Sequence, residues 1–99
     1  MKRFVAKKSF KVLAVCDKNL IGKSFKQGGR VLDLNKYSSF YGDEVEEKTV
    51  EIWMKEAFSQ RHSLNLVGRN SVNLAIKILN LKSKPVLIEQ IPVLQVYFI

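Results

Sequence analysis

Phe10-Lys11-Val12-Leu13-Ala14-Val15-Cys16 is the stretch that decides the fold. Its second part is apolar without interruption and carries β-branched valines, as expected of a strand covered on both faces. Residues 3–9 before it alternate loosely, so residues 4–16 are predicted to form a hairpin with its turn near residues 7–9. Asp17 ends the run and stands where it can cap a short turn, Lys18-Asn19-Leu20-Ile21, which Gly22 stops.

Beyond this hairpin, Gln27-Gly28-Gly29 signals a turn and Arg30-Val31-Leu32-Asp33-Leu34 a third strand. Residues 36–42 read as a loop rich in Tyr and Ser. Val50, Trp53, Met54, Ala57 and Phe58 fall at i, i+3, i+4, i+7 and i+8, the continuous stripe of an amphipathic helix. Asp43 and Glu46 have the spacing of a capping box, and Glu44, Glu46 and Glu47 would sit at the positive end of the helix dipole.

Residues 63–67 alternate as a strand, Gly68-Arg69-Asn70 breaks it, and Val72, Ala75, Ile76 and Leu79 repeat the helical spacing behind a cap at Asn70 or Ser71. Residues 86–89 and 93–98 read as strands separated by Ile91-Pro92. The succession 63–67, 71–80, 86–89 fits a right-handed parallel crossover. The expectation is an α+β fold, one domain over residues 1–99. It has a five- or six-stranded mixed or antiparallel sheet, the hairpin at its heart, and two amphipathic helices packed on one face. The two stripes, from Val50 to Phe58 and from Val72 to Leu79, supply the core contacts.

An apolar fraction of 46% and a charged fraction of 26% exclude a disordered chain. One cysteine excludes an internal disulfide and points to a reducing, cytoplasmic compartment. The early lysines interrupt any signal-like segment, and the longest later apolar stretch, near residues 92–99, is much shorter than the roughly 20 residues of a membrane helix. A soluble protein with no membrane partner is expected.

Several features together resemble a known family. They are Cys16-Asp17 with Leu20, Gly22 and Phe25 behind it, then Phe40-Tyr41-Gly42, then Asn65-Leu66-Val67-Gly68 opening a helix, and finally Pro92 with Gln95. In their order and spacing they resemble a small archaeal family known as domain of unknown function 424, over nearly the whole chain. In that family a histidine often follows the late proline, whereas Val93 and Leu94 follow Pro92 here, so no late histidine is given a chemical role. The resemblance implies an intracellular archaeal protein linked to translation, and supplies neither an activity nor catalytic residues.

Charge is sorted along the chain. Residues 1–36 hold ten Lys/Arg against two Asp, residues 37–60 two against six acids, and residues 61–99 five against one. A basic N-terminal third attracts polyanions. Lys7, Lys8, Lys11, Lys18, Lys23, Lys26 and Arg30 lie mostly at turns and strand ends, with Phe4, Phe10, Phe25, Tyr37, Phe40 and Tyr41 interleaved. Lysines on phosphates and aromatics stacked on unpaired bases are a common way to hold RNA. These lysines and arginines, with Tyr41, form the predicted nucleic-acid contact. The same composition also describes a charged, soluble surface over an aromatic core.

Other motifs carry less. Gly22-Lys23-Ser24 copies the tail of a phosphate-binding loop, but Asp17 stands where the first glycine is required. Cys16 and His62 are the sole residues of their kinds, so a catalytic pair would have to be these two; a buried thiol and a helix-end histidine are the alternative. The acidic run 43–47 lacks the pattern of a calcium loop, and no metal or cofactor site is assigned. Gly68, Arg69, Asn70 and Ser71 open a helix after a strand, where free N–H groups and Arg69 would suit an anion.

The reading that follows is a small, basic, non-enzymatic RNA-binding protein associated with the ribosome or translation. Two alternatives stay open. One is an assembly module, a homodimer pairing through the apolar C-terminal strand 93–99. The other is an enzyme or binder for a phosphorylated small molecule at Gly68, Arg69, Asn70 and Ser71, with His62 as its neutral-pH base.

Overall fold

The computed structural model describes residues 2–35 and 38–98, and its centre is the predicted hairpin. Strand β1 (Phe4–Ser9) and strand β2 (Val12–Asp17) pair antiparallel from Phe4 opposite Asp17 to Ser9 opposite Val12. The turn falls at Phe10 and Lys11, later than residues 7–9. Lys7 and Lys8 extend the strand because their side chains reach solvent, whereas Lys11 takes the left-handed conformation (φ 60°) that reverses the chain.

After a 3₁₀ turn (Lys18–Leu20), β3 (Ser24–Gln27) and β4 (Arg30–Asp33) form a separate two-stranded sheet. The predicted third strand therefore exists but does not join the main sheet. A second 3₁₀ turn (Ser38–Tyr41) leads to β5 (Asp43–Val45), which pairs with β1 at the sheet's edge. This corrects the predicted capping box. Asp43 belongs to a strand, and helix α1 (Glu47–Ser59) starts behind Glu46 without a side-chain capping bond.

Strand β6 (Ser63–Val67), helix α2 (Arg69–Leu79), β7 (Val86–Ile88) and β8 (Ile91–Val96) complete a six-stranded mixed sheet of order β5-β1-β2-β6-β8-β7. Its one parallel pair is β2 with β6. β6 and β7 run the same way, as the crossover requires, but β8 lies between them, antiparallel to both. The reversal occurs at Glu89 and Gln90, both at positive φ, as in a tight hairpin. Ile91 and Pro92, predicted to separate two strands, instead begin β8. The C-terminal strand is thus interior where residues 91–93 pair with β7, and the edges of the sheet are β5 and β7. Ile99 lies outside the described residues.

Both helices pack on one face, as their stripes predict. Val50, Met54, Ala57, Val72 and Ala75 are buried against Phe4, Leu13, Val15, Leu64, Leu66 and Leu94. Trp53, Phe58, Ile76 and Leu79 form the partly buried rim of this core. The opposite face is covered in part by the β3–β4 sheet and the two 3₁₀ turns, which bury Leu20, Leu34 and Tyr41 against Val5, Ala14, Cys16 and Val67. This second layer is why residues 13–16 are apolar on both sides of the strand. Gly42 (φ 71°) brings Tyr41 into it, since a Cβ there would lie 2.7 Å from the Ala6 carbonyl oxygen.

Sheet and helix α2 are joined by Asp17, which is buried at the end of β2. Its Oδ1 accepts hydrogen bonds from the Ser71 amide (2.8 Å) and hydroxyl (2.7 Å), and its Oδ2 from the Asn70 amide (3.0 Å). A carboxylate from a distant strand thereby caps the helix and meets the positive end of its dipole. Gly68 makes room for it: φ is 103°, and a Cβ would sit 2.7 Å from Asp17 Oδ2 and closer still to Cγ. Asp17→Ala strands the two buried donors of Ser71 and the part-buried Asn70 amide, and is expected to lower unfolding stability by about 2–4 kcal/mol, measured by urea denaturation. Gly68→Ala should also destabilise, through both the collision and the backbone.

Candidate nucleic-acid interface

The β3–β4 layer is too small to cover the whole second face of the sheet. Along strands β6 and β8, residues alternate between the helix core and the opposite side. Leu64, Leu66 and Leu94 enter the helix core, so Asn65, Gln95 and Val93 face the other way. Along β6 and β8 on that face, two adjoining hollows of about 600 and 500 Å³ share Val31, Leu32, Tyr41, Asn65 and Gln95. They form one groove. Phe40 lies toward one side of it, and Arg30, Lys84 and Tyr97 line the other. Two of its aromatics are open to solvent: Phe40 is 41% exposed and Tyr97 67%.

The floor is built from β6 and β8, where Asn65 stands directly opposite Gln95. Both are polar intrusions in apolar strands. Their solvent-facing side could be read from the alternation in Ser63-Leu64-Asn65-Leu66-Val67 and Val93-Leu94-Gln95-Val96, but their adjacency could not. Lys84 and Tyr97 likewise join the groove through folding and carry no sequence signal.

The predicted basic residues do not gather on one face. Lys7 and Lys8 are neighbours in β1 and point to opposite sides. Lys8 turns to the helix side, with Nζ 4.9 Å from the Trp53 ring centre and 3.8 Å from Glu56. Lys7 stands on the groove's side of the sheet, and Lys11 lies in the turn, 5.2 Å from the ring centre of Phe10, which is 87% exposed. Lys18 is at the other end of β2, about 20 Å of strand from Lys11.

Glu44 engages Lys18 (2.6 Å) and both Nε and Nη2 of Arg3 (2.7 and 2.8 Å). Those hydrogen bonds, from Arg3 first and then Lys18, hold its carboxyl near 2 instead of the ordinary 4.5. Lys23 follows the first 3₁₀ turn at this far end, and the Lys26 amide donates to Glu89. Of the predicted basic contacts, Arg30 lines the groove.

Tyr41 is corrected as a stacking residue. It is buried, its phenol is pushed well above its usual value by burial, and its ring meets Phe40 edge-on at 5.2 Å. Phe40 and Tyr97 present the accessible aromatic surface instead. Lys36 and Tyr37 lie outside the described residues.

The predicted anion cradle is filled from within. The amides of Asn70 and Ser71 are bound to Asp17, the Gly68 amide donates to the Pro92 carbonyl (2.9 Å), and Arg69 is left as an exposed side chain at its rim. Cys16 and His62 do not meet. Cys16 stands beside Val67, whereas His62 precedes Ser63, which stands beside Val12, so about 16 Å of strand separates them. The Cys16 thiol donates to the Asp17 carbonyl (3.3 Å), and burial, then the Asp17 charge, pushes its pKa up to about 12. It is a packed thiol and not a nucleophile. Among the described residues, no three His, Cys, Asp or Glu side chains gather as a metal site, and no helix is long and apolar enough to cross a membrane.

Comparison with known proteins bears on the fold. The model of a family described as "Protein of unknown function (DUF424)" matches residues 5–99, the family that the motifs around Asp17, Gly68 and Pro92 resemble. A solved structure, an uncharacterized conserved protein from Methanopyrus kandleri, is similar with a TM-score of 0.77 at 20% identity, over 96% of this chain and 90% of that one. That likeness carries the fold. No match is found among curated proteins.

Cys16 is expected to resist iodoacetamide in the folded protein at neutral pH and to react on unfolding, a contrast read by mass spectrometry. Glu44 should titrate near 2 in a carboxyl NMR titration. Because its folded pKa is depressed, the stability it contributes is complete above about 4.5 and lost as pH falls toward 2. Glu44→Gln should remove that part of the acid dependence.

Proposed function

The chain belongs to the DUF424 family, whose description assigns no function, and from the half-covered face of its sheet we propose that it binds single-stranded RNA there without covalent chemistry. The observation that carries the reading is the groove itself. It is an open sheet surface whose floor carries Asn65 and Gln95 among apolar residues such as Val67, Ile88 and Val93, with exposed Phe40 and Tyr97, and Arg30 and Lys84 beside them. Strands about 4.8 Å apart give a platform across β6, β8 and β7 on which a few unpaired bases can lie flat.

Aromatic faces contribute about 1–3 kcal/mol per stacked base, and they require no particular sequence. Arg30 and Lys84 supply the positive field that positions a phosphate backbone, in a chain whose formal net charge is +8. Exposed Phe10 with Lys11 extends the same end of the molecule. The lysine-rich N-terminal third contributes less than its count suggests, because Lys8 and Lys18 are each paired with an acid and Lys8 lies on the helix side of the sheet.

Binding of a short single-stranded RNA, followed by fluorescence anisotropy, should weaken with salt at a slope of about −0.7 per phosphate held. Arg30→Ala with Lys84→Ala should flatten that slope by about 1.4. Tyr97→Ala should weaken binding about tenfold, whereas Lys18→Ala should change neither. RNA affinity that is undetectable at low salt, or indifferent to salt, refutes the proposal.

A further inference from the structure

The floor of the groove holds two side-chain amides with no hydrogen-bond partner among the described residues, those of Asn65 and Gln95. They stand directly opposite each other across β6 and β8, so their Cβ atoms are about 5 Å apart. Both line both hollows, between Phe40 on one side and Tyr97 on the other. Elsewhere the polar groups at strand and helix ends are used internally: Asp17 caps α2, Gln27 accepts from the Glu89 amide, and Glu89 accepts from the Lys26 amide. Two adjacent carboxamides with no hydrogen-bond partner among the described residues, in a groove flanked by aromatic rings, are available to an external partner.

We propose that Asn65 and Gln95 read a base lying in the groove and select adenine. This rests on the RNA reading above and adds the chemistry of recognition to it. Each carboxamide offers an acceptor oxygen beside a donor nitrogen. Its natural complement is an edge with a donor next to an acceptor, and bidentate pairing of Asn or Gln with the adenine N6 and N7 is the familiar instance. Adenine is the base whose amino group has a ring acceptor on either side, N1 and N7. It can therefore meet two neighbouring carboxamides at once, one on each edge, while its faces stay free for stacking. Cytosine has such a match on one side of its amino group only, and uracil has no amino group to share between two amides.

The test compares short oligo(A), oligo(U) and oligo(C) RNA by fluorescence anisotropy at one low salt concentration. The wild-type protein is expected to bind oligo(A) about tenfold more tightly than the other two, the discrimination one good bidentate contact supplies. In the Asn65→Ala, Gln95→Ala double variant, oligo(A) affinity should fall to the level of the others. Affinity for oligo(U) and oligo(C) should fall by far less, and the salt slope and the thermal unfolding profile should stay as in the wild-type protein.

Equal binding of all three RNAs with a normal salt slope overturns base reading and leaves the RNA proposal standing. A preference for uracil or cytosine, or an adenine preference that survives in the double variant, also overturns it. No RNA binding at low salt removes both proposals together.

Discussion

The carboxylate of Asp17 grips three donors at the start of helix α2 and fixes that helix against the sheet. A buried acid is costly unless its oxygens are satisfied, and a helix start is costly unless its amides are. Here each deficit answers the other across 54 residues of sequence. The fit requires Gly68, since a side chain at that position would occupy the space of the carboxylate. The Gly68 amide in turn donates to Pro92, which ties the returning strand β8 to the same point. Helix start, central parallel pair and C-terminal strand are therefore registered by one small polar cluster inside an apolar structure. Several residues through which the chain resembles its family meet at this cluster, so those motifs describe how the fold is held.

The two faces of the sheet are finished differently. The helix side is a closed core in which two stripes cover most of the strands. The other side has only a two-stranded sheet and two 3₁₀ turns, which seal Cys16, Val67 and Tyr41 and then stop. Beside the sealed Ala14 of β2, the facing positions of β6 and β8 are the polar Asn65 and Gln95, and the aromatics that flank them, Phe40 and Tyr97, are exposed. One part of this face is thus sealed and the other open, while the core on the helix side stays closed.

The charge of the chain illustrates the distance between composition and surface. The N-terminal third is strongly basic by count, yet alternation along β1 sends Lys7 and Lys8 to opposite faces. The length of β2 keeps Lys11 and Lys18 apart, and Glu44 gathers Arg3 and Lys18 into an ion-pair network on the edge strand β5. The acidic middle is likewise divided, with residues 43–45 in an edge strand and Glu46 and Glu47 at a helix start. Clustering in sequence became clustering in space only where strand geometry allowed it.

Most elements were legible in the chain because hydrophobic periodicity is a local property. The apolar run ending at Cys16, the stripes from Val50 to Phe58 and from Val72 to Leu79, and the strand 63–67 each announce their own conformation through what they must bury. Missed were β3 and β5, short and mostly polar strands with one apolar residue each, Phe25 and Val45, whose conformation comes from a pairing partner. The course of β8 depended on a tight reversal at Glu89 and Gln90, residues with no glycine to betray it. The groove was legible as residues that break an apolar alternation, but that Asn65 faces Gln95 is a matter of register between strands 30 positions apart. The helix start at Gly68 was visible as an anion site, and only folding supplied the anion, from the chain's own Asp17. Local pattern sets what each segment becomes, whereas pairing and capping over long separations are settled by the competition to bury surface and satisfy donors in three dimensions.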